Sequence, residues 1–253
     1  MKRILSLLTA LVVLSGCSVL QNIHLDPNLL AQAAGNAAYA TTISDEDIAI
    51  LSAQSVAQLD AQNKMADPSY LTRLNKIMKG VREVTGLPLN FKVYKTNEIN
   101  AFACGDGSIR VYSGLMDAMS DAEVAAIVGH EIGHVNLKHT KKAMKTAYLA
   151  VAARYALASA GGVVGGVAAS FVGDLAQQFV DSKFSQKQEF QADEQGYQFS
   201  VQMGYDKYSM YNALNRLLEL SGNSTATMGQ KMFSSHPDTA ERAARMKAKA
   251  ESN

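Results

Sequence analysis

The sequence predicts an α+β domain, mostly helical, with one small antiparallel β-sheet placed before its central helix. Two patterns carry that prediction. Capped segments with helically spaced apolar residues lie on both sides of the chain's middle, and one stretch, residues 89–112, combines strand alternation with turn glycines. With 253 residues, 47% of them hydrophobic, the chain is long enough to bury a core. No internal repeat is evident.

Lys2 and Arg3 precede an apolar run from Ile4 to Leu14, and Leu14-Ser15-Gly16-Cys17 resembles a bacterial lipobox. Residues 1–16 therefore read as a signal peptide, cleaved before Cys17, whose sulfur is acylated. The run is too short to span a bilayer as a helix. Acylation of Cys17 with several chains makes a firm anchor, since each buried methylene contributes about 0.8 kcal/mol. Residues 17–43 are small and polar and read as a tether, and residues 44–253 as the folded domain.

Ser44 caps a helix expected to run to about Ala61, with Asp45, Glu46 and Asp47 at its positive end. A second helix is expected from about Tyr70 to Thr85, stopped by Gly86 and Pro88. Leu89, Phe91 and Val93 alternate with Asn90, Lys92 and Tyr94, the period of a half-buried strand. Ala101 to Cys104 and Ser108 to Tyr112 flank Gly105-Asp106-Gly107, a turn that makes a hairpin. Ser120 and Glu123 form a capping box for the next helix, whose apolar face is Val124, Ile127, Val128, Ile132 and Val135.

Without Lys2 and Arg3, 22 basic residues face 23 acidic ones, a net charge of −1. There is no basic stripe interleaved with aromatics, so no nucleic-acid partner is expected. Cys104 is the single cysteine besides Cys17, which excludes an intramolecular disulfide once Cys17 is acylated. It is either buried or a free thiol.

The central helix carries His130-Glu131-Ile132-Gly133-His134. Two histidines four residues apart lie one above the other and can offer imidazoles to one zinc ion. Glu131, on the adjoining flank, can act as a base toward water. A metzincin would need glycine at 137 and histidine at 140, where this chain has Leu137 and Thr140. His139 lies well off the His130/His134 face at about 100° per residue and reads as a solvated histidine near a helix end. Downstream, Glu189-Phe190-Gln191-Ala192-Asp193 puts two carboxylates on one helix face. One can ligate zinc, while the other accepts the second ring N–H of a histidine ligand.

These pieces, together with Asn100-Ala101-Phe102-Ala103, the run from Ile109 to Met116, and Ser235-His236-Pro237 followed by Arg242, resemble the LoiP/HtpX type of HExxH zinc metallopeptidases, a gluzincin family. They are most similar to its LoiP-like outer-membrane lipoproteins of Gram-negative bacteria, and they span residues from about 45 to 246 in the family's order. The resemblance implies a zincin-like metallopeptidase domain with one zinc ion per chain. It implies His130, His134 and Glu189 as ligands and Glu131 as the catalytic carboxylate. For His236 it leaves two roles open: hydrogen bonding to the oxyanion, or a fourth, inhibitory ligand. Asp193 and Arg242 are expected behind the ligands, Arg242 fixing a carboxylate or the substrate backbone. Asn100, Ala101, Phe102 and Ala103 are expected to form a sheet edge that holds an extended peptide by main-chain hydrogen bonds.

The implied function is endopeptidase action on unfolded or misassembled cell-envelope proteins, from the outer membrane and facing the periplasm, with other envelope assembly proteins as further partners. Ser18 after the lipidated cysteine fits export to the outer membrane by the same analogy. No C-terminal helical-repeat domain, such as BepA-like relatives carry, is expected. Ala143 to Val172, rich in alanine and glycine, is expected to be a helix with a Gly-rich loop that covers the cleft or touches membrane or a partner. A spanning hairpin is disfavoured there by Arg154 and by the Gly161-Gly162 and Gly165-Gly166 interruptions. The alternative function is a lipoprotein chaperone or assembly factor with a structural zinc.

Overall fold

The structure, a computed structural model, describes residues 26–159, 184–222, 232 and 235–252. Cys17, its leader, and the Gly161-Gly162 and Gly165-Gly166 pairs lie outside the described residues, as does the side chain of Arg154. In chain order the elements are α1 (Pro27–Thr42), α2 (Asp45–Gln62), α3 (Pro68–Ile77), β1 (Glu83–Val84), β2 (Leu87–Pro88), β3 (Asn90–Tyr94), β4 (Ala101–Ala103) and β5 (Ser108–Tyr112). They continue with α4 (Ser113–Ala118), α5 (Asp121–Asn136), α6 (His139–Ser159), α7 (Gln186–Gln202), α8 (Ser209–Gly222) and α9 (Thr239–Ser252). Among the described residues, no helix is long and apolar enough to cross a membrane.

The described residues form two compact units. One joins α1 to the part of α6 that begins at residue 145. Within it, Tyr39 packs edge-on against Tyr148 with ring centroids 4.9 Å apart, and the Asp26 amide donates to the Ser159 carbonyl at 3.0 Å. The later part of the expected tether is thus helical, in keeping with its run of alanines.

The other unit holds the remaining elements, and its helix starts follow the sequence closely. Ser44, Ser120 and Ser185 each cap a helix, and each is part of a reciprocal capping box, with Asp47, Glu123 and Gln188. The second expected helix is shorter than predicted. It ends at Ile77, because Lys79 and Gly80 take positive φ (46° and 81°) and turn the chain. The β-branched Val84 then enters a small antiparallel hairpin, β1 with β2, whose two-residue turn is Thr85-Gly86 at positive φ (50° and 83°).

The main sheet has the order β3-β5-β4, with β3 and β4 at its two edges. β4 and β5 form the expected antiparallel hairpin, whereas β3 pairs parallel to β5, Phe91 opposite Ile109 and Val93 opposite Val111. Central β5 is buried at every position, including Arg110. Arg110 keeps its charge there because Asp60 of α2 accepts from its Nε and Nη2 at 2.8 and 2.9 Å. Tyr94 and Lys92 donate to the same carboxylate at 2.7 Å each. Burial raises the Asp60 pKa, but the hydrogen bonds from Arg110, Lys92 and Tyr94 outweigh it and hold the group at about 2. Cys104 is fully buried, and burial pushes its thiol pKa far up. It is a packing residue in a small cluster with Val56, Tyr94, Phe102 and Tyr112.

Helix α5 lies between the sheet and α7 and α8, with Val124, Ile127 and Val128 in the core. Its crossing with α7 is close. A Cβ on Gly133 would lie 2.8 Å from Gln195 Cβ, and one on Gly129 would lie 2.9 Å from the Phe199 ring. Small residues on both helices let the backbones approach, and that approach sets the distance between the HEIGH residues and the Glu189–Asp193 pair.

Candidate active site

Four residues, three of them far apart in sequence, meet where α5, α7 and the start of α9 converge. His130 and His134 project from α5 and Glu189 from the first turn of α7, while His236 precedes α9. All four are buried, and each offers one ligand atom within 4.8 Å of the others. His130 Nε2 is 3.0 Å from His134 Nε2, 3.6 Å from Glu189 Oε2 and 3.3 Å from His236 Nδ1. His134 Nε2 is 3.5 Å from Glu189 Oε1, and His236 Nδ1 is 3.1 Å from both Glu189 oxygens. A tetrahedral ion bound at about 2.0–2.1 Å separates its ligand atoms by roughly 3.3 Å. The three imidazoles and one carboxylate therefore fit a metal ion of that size.

Behind them stands Asp193, one helical turn after Glu189. Its Oδ1 is 2.9 Å from His130 Nδ1, so the ring turns Nε2 toward the cluster. Arg242 of α9 grips Asp193 in a two-pronged pair, Nη2 to Oδ1 at 2.6 Å and Nε to Oδ2 at 2.8 Å. Its Nη1 also lies 2.8 Å from Glu189 Oε2 and donates to the His236 carbonyl at 3.2 Å. One guanidinium thus ties both α7 carboxylates to the His236 segment. Burial raises the Asp193 pKa, but the Arg242 hydrogen bonds override it and hold the group at about 2. Glu189 is lowered too, since His236 and the other nearby cations outweigh burial.

Glu131 is different. It is buried, its Oε1 has no hydrogen-bond partner among the described residues, and burial raises its pKa despite the nearby His236 and His130. His236 Nε2 is 3.6 Å from that oxygen. Burial pushes His134 well below the ordinary histidine value. It alone would lower His236, but the Glu131 and Glu189 carboxylates raise it.

The structure brings together His130, Glu131, His134, Glu189, Asp193, His236 and Arg242, all singled out in the sequence. Asn100, Ala101 and Phe102 are buried and Ala103 is partly exposed; the three residues after Asn100 form β4, one of the two edge strands. Cys17 lies outside the described residues.

His139 departs from expectation. It is 1% exposed rather than solvated, and its Nδ1 is 3.1 Å from His134 Nδ1. Lys138 adopts φ 57°, which ends α5 and starts α6, so His139 returns toward His134 and the single-helix angular count no longer applies. Phe184 was also missed. Its ring stacks on His134 with centroids 3.8 Å apart and an interplanar angle of 26°. No local pattern marks either residue, since both contacts join separate elements.

Comparison with known proteins agrees with this geometry. The chain is 38% identical to metalloprotease YcaL of Escherichia coli (strain K12) over 246 residues, 96% of this chain and 94% of that one. It is 38% identical to metalloprotease LoiP of the same organism over 245 residues, again 96% and 94%. A beta-barrel assembly-enhancing protease of Yersinia pestis is 29% identical over 163 residues, 60% of this chain and 33% of that protein. Residues 1–18 match the prokaryotic membrane lipoprotein lipid attachment site. The family model of peptidase family M48 matches residues 68–250, spanning all four residues that could hold a metal ion, and the chain belongs to this family of metallopeptidases.

Proposed function

We propose that this chain is a zinc-dependent endopeptidase that hydrolyses internal bonds of unfolded or misassembled cell-envelope proteins. The observation that carries the reading is Glu131, a buried carboxylate with one unpartnered oxygen and a raised pKa, on the same helix as two of four convergent donor groups. His130, His134 and Glu189 would hold the ion. When bound, zinc lowers the pKa of a water to about 7 and polarises the scissile carbonyl. Glu131 takes the proton of the attacking water and passes it to the leaving amine. Asp193 fixes the His130 tautomer, and Arg242 keeps both α7 carboxylates charged at a buried site.

An extended peptide would add to the free edge of β4. Asn100 supports this, because its Oδ1 accepts from the Ala101 amide while its buried Nδ2 has no partner among the described residues and suits a substrate carbonyl. The lipid attachment site and the two long relatives support a cleaved leader at 1–16, an acylated Cys17, a tether over 17–43 and a metallopeptidase domain over 44–253. The lipid attachment site supports a membrane anchor, which we infer to lie in the outer membrane and face the periplasm, and the Yersinia relative's name favours envelope assembly proteins as clients or partners.

A second reading, a chaperone or assembly factor with a structural zinc, draws on His236, which completes a set of four donors. Glu131→Gln separates the two. Under the peptidase reading it binds zinc as the wild type does and loses casein cleavage, whereas undiminished cleavage refutes Glu131 as the base.

A further inference from the structure

We propose that His139 is a positioning residue for the metal centre, its Nδ1 accepting the Nδ1–H of His134 so that His134 presents Nε2 to the ion. The proposal rests on the reading of His134 as a ligand. The two Nδ1 atoms are 3.1 Å apart, so one ring must donate and the other accept. His134 Nε2 faces His130 Nε2 at 3.0 Å and Glu189 Oε1 at 3.5 Å, inside the donor cluster. A neutral ring that offers the Nε2 lone pair to a metal carries its proton on Nδ1. His139 Nδ1 must then be bare, with its own proton on Nε2.

Two further contacts bear on these rings. The Gln191 side chain of α7 interacts with His139. Phe184 lies flat on His134 and tilts against His139 at 6.2 Å, so the in-plane contact to His139 fixes the ring about its own plane. The two α5 histidines are thus backed differently. His130 leans on Asp193, a carboxylate neutralised by Arg242, and His134 leans on a neutral imidazole from the helix that follows. Gln191 stands between Glu189 and Asp193 in sequence, so α7 supplies a candidate ligand and a support for each histidine.

The test compares wild type with His139→Phe, which keeps a ring but has no acceptor, and His139→Asn, whose Oδ1 replaces the Nδ1 acceptor. Zinc affinity is read by competition with a chromogenic chelator, the coordination sphere by the cobalt(II) absorption spectrum, and folding by the melting temperature of the metal-free proteins. His139→Phe is expected to lose about 10- to 100-fold in zinc affinity and to alter the cobalt spectrum, with an unchanged metal-free melting temperature. His139→Asn is expected to stay close to wild type in all three. Wild-type affinity and spectrum in His139→Phe overturn the proposal, and so does an Asn variant as weak as the Phe variant, since packing alone would then explain the loss. Should His139→Phe not fold, His139→Leu carries the same expectations. The underlying reading fails separately: a His134→Ala variant that binds zinc as the wild type does removes His134 as a ligand, whatever the His139 variants show.

Discussion

Gly196 of α7 rests against the backbone of His130, and a Cβ there would lie 3.0 Å from the His130 nitrogen and 2.8 Å from the Ala126 carbonyl oxygen. The approach of these two residues sets how far the acids of one helix stand from the histidines of the other. Both obstacles are backbone atoms in a buried helix, so neither gives way cheaply.

Gly196→Ala should therefore force α5 and α7 apart. A loss of about 1 to 3 kcal/mol in stability is expected, with weaker zinc binding in the folded fraction. Chemical denaturation and metal titration read the two effects, and a variant as stable as the wild type would show that the crossing is not tight.

His134→Ala removes one of four donors and should lose metal and peptidase activity together. Metal content by elemental analysis after gel filtration decides it, because stoichiometric zinc in this variant contradicts the ligand assignment.

His236 stands with Nδ1 at 3.3 Å from His130 Nε2 and 3.1 Å from Glu189, among the donor atoms themselves. With His130, His134 and Glu189 as the proposed ligands, that seat is the corner that substrate or water would need. His236→Ala is expected to keep zinc and raise the basal rate of casein cleavage. A fall of about 10²- to 10³-fold would instead identify the histidine as an oxyanion donor.

The Asp60 carboxylate, held at about 2 by Arg110, Lys92 and Tyr94, ties stability to pH. Its folded pKa lies below its ordinary value of 3.8, so its stabilising contribution is complete above about pH 4 and disappears as the pH falls toward 2. Equilibrium unfolding between pH 5 and pH 2 should show that decline, and Asp60→Asn should flatten it. Asp60→Ala, which leaves Arg110 buried without its partner, is expected to cost roughly 3 to 5 kcal/mol at neutral pH.

The sequence by itself determined what is local. Serine caps start α2 and α5 where the pattern puts them, since a capping box needs only four consecutive residues, and Ser185 with Gln188 starts α7 by the same local device. The β4–β5 hairpin follows from its turn glycines, and the spacing within His130–His134 and within Glu189–Asp193 follows from helical pitch. The early end of α3 was not legible, because Lys79 has no side-chain preference for positive φ. Tertiary structure alone decided the parallel pairing of β3 with β5, the two-pronged Arg242–Asp193 contact, the meeting of Phe184 with His134 and the return of His139. Each of these joins residues from different elements, or turns on one backbone angle such as that of Lys138. The spacing between the α5 histidines and the α7 acids depends on how closely these glycine-bearing helices cross, a property of the packed core that a linear pattern does not encode.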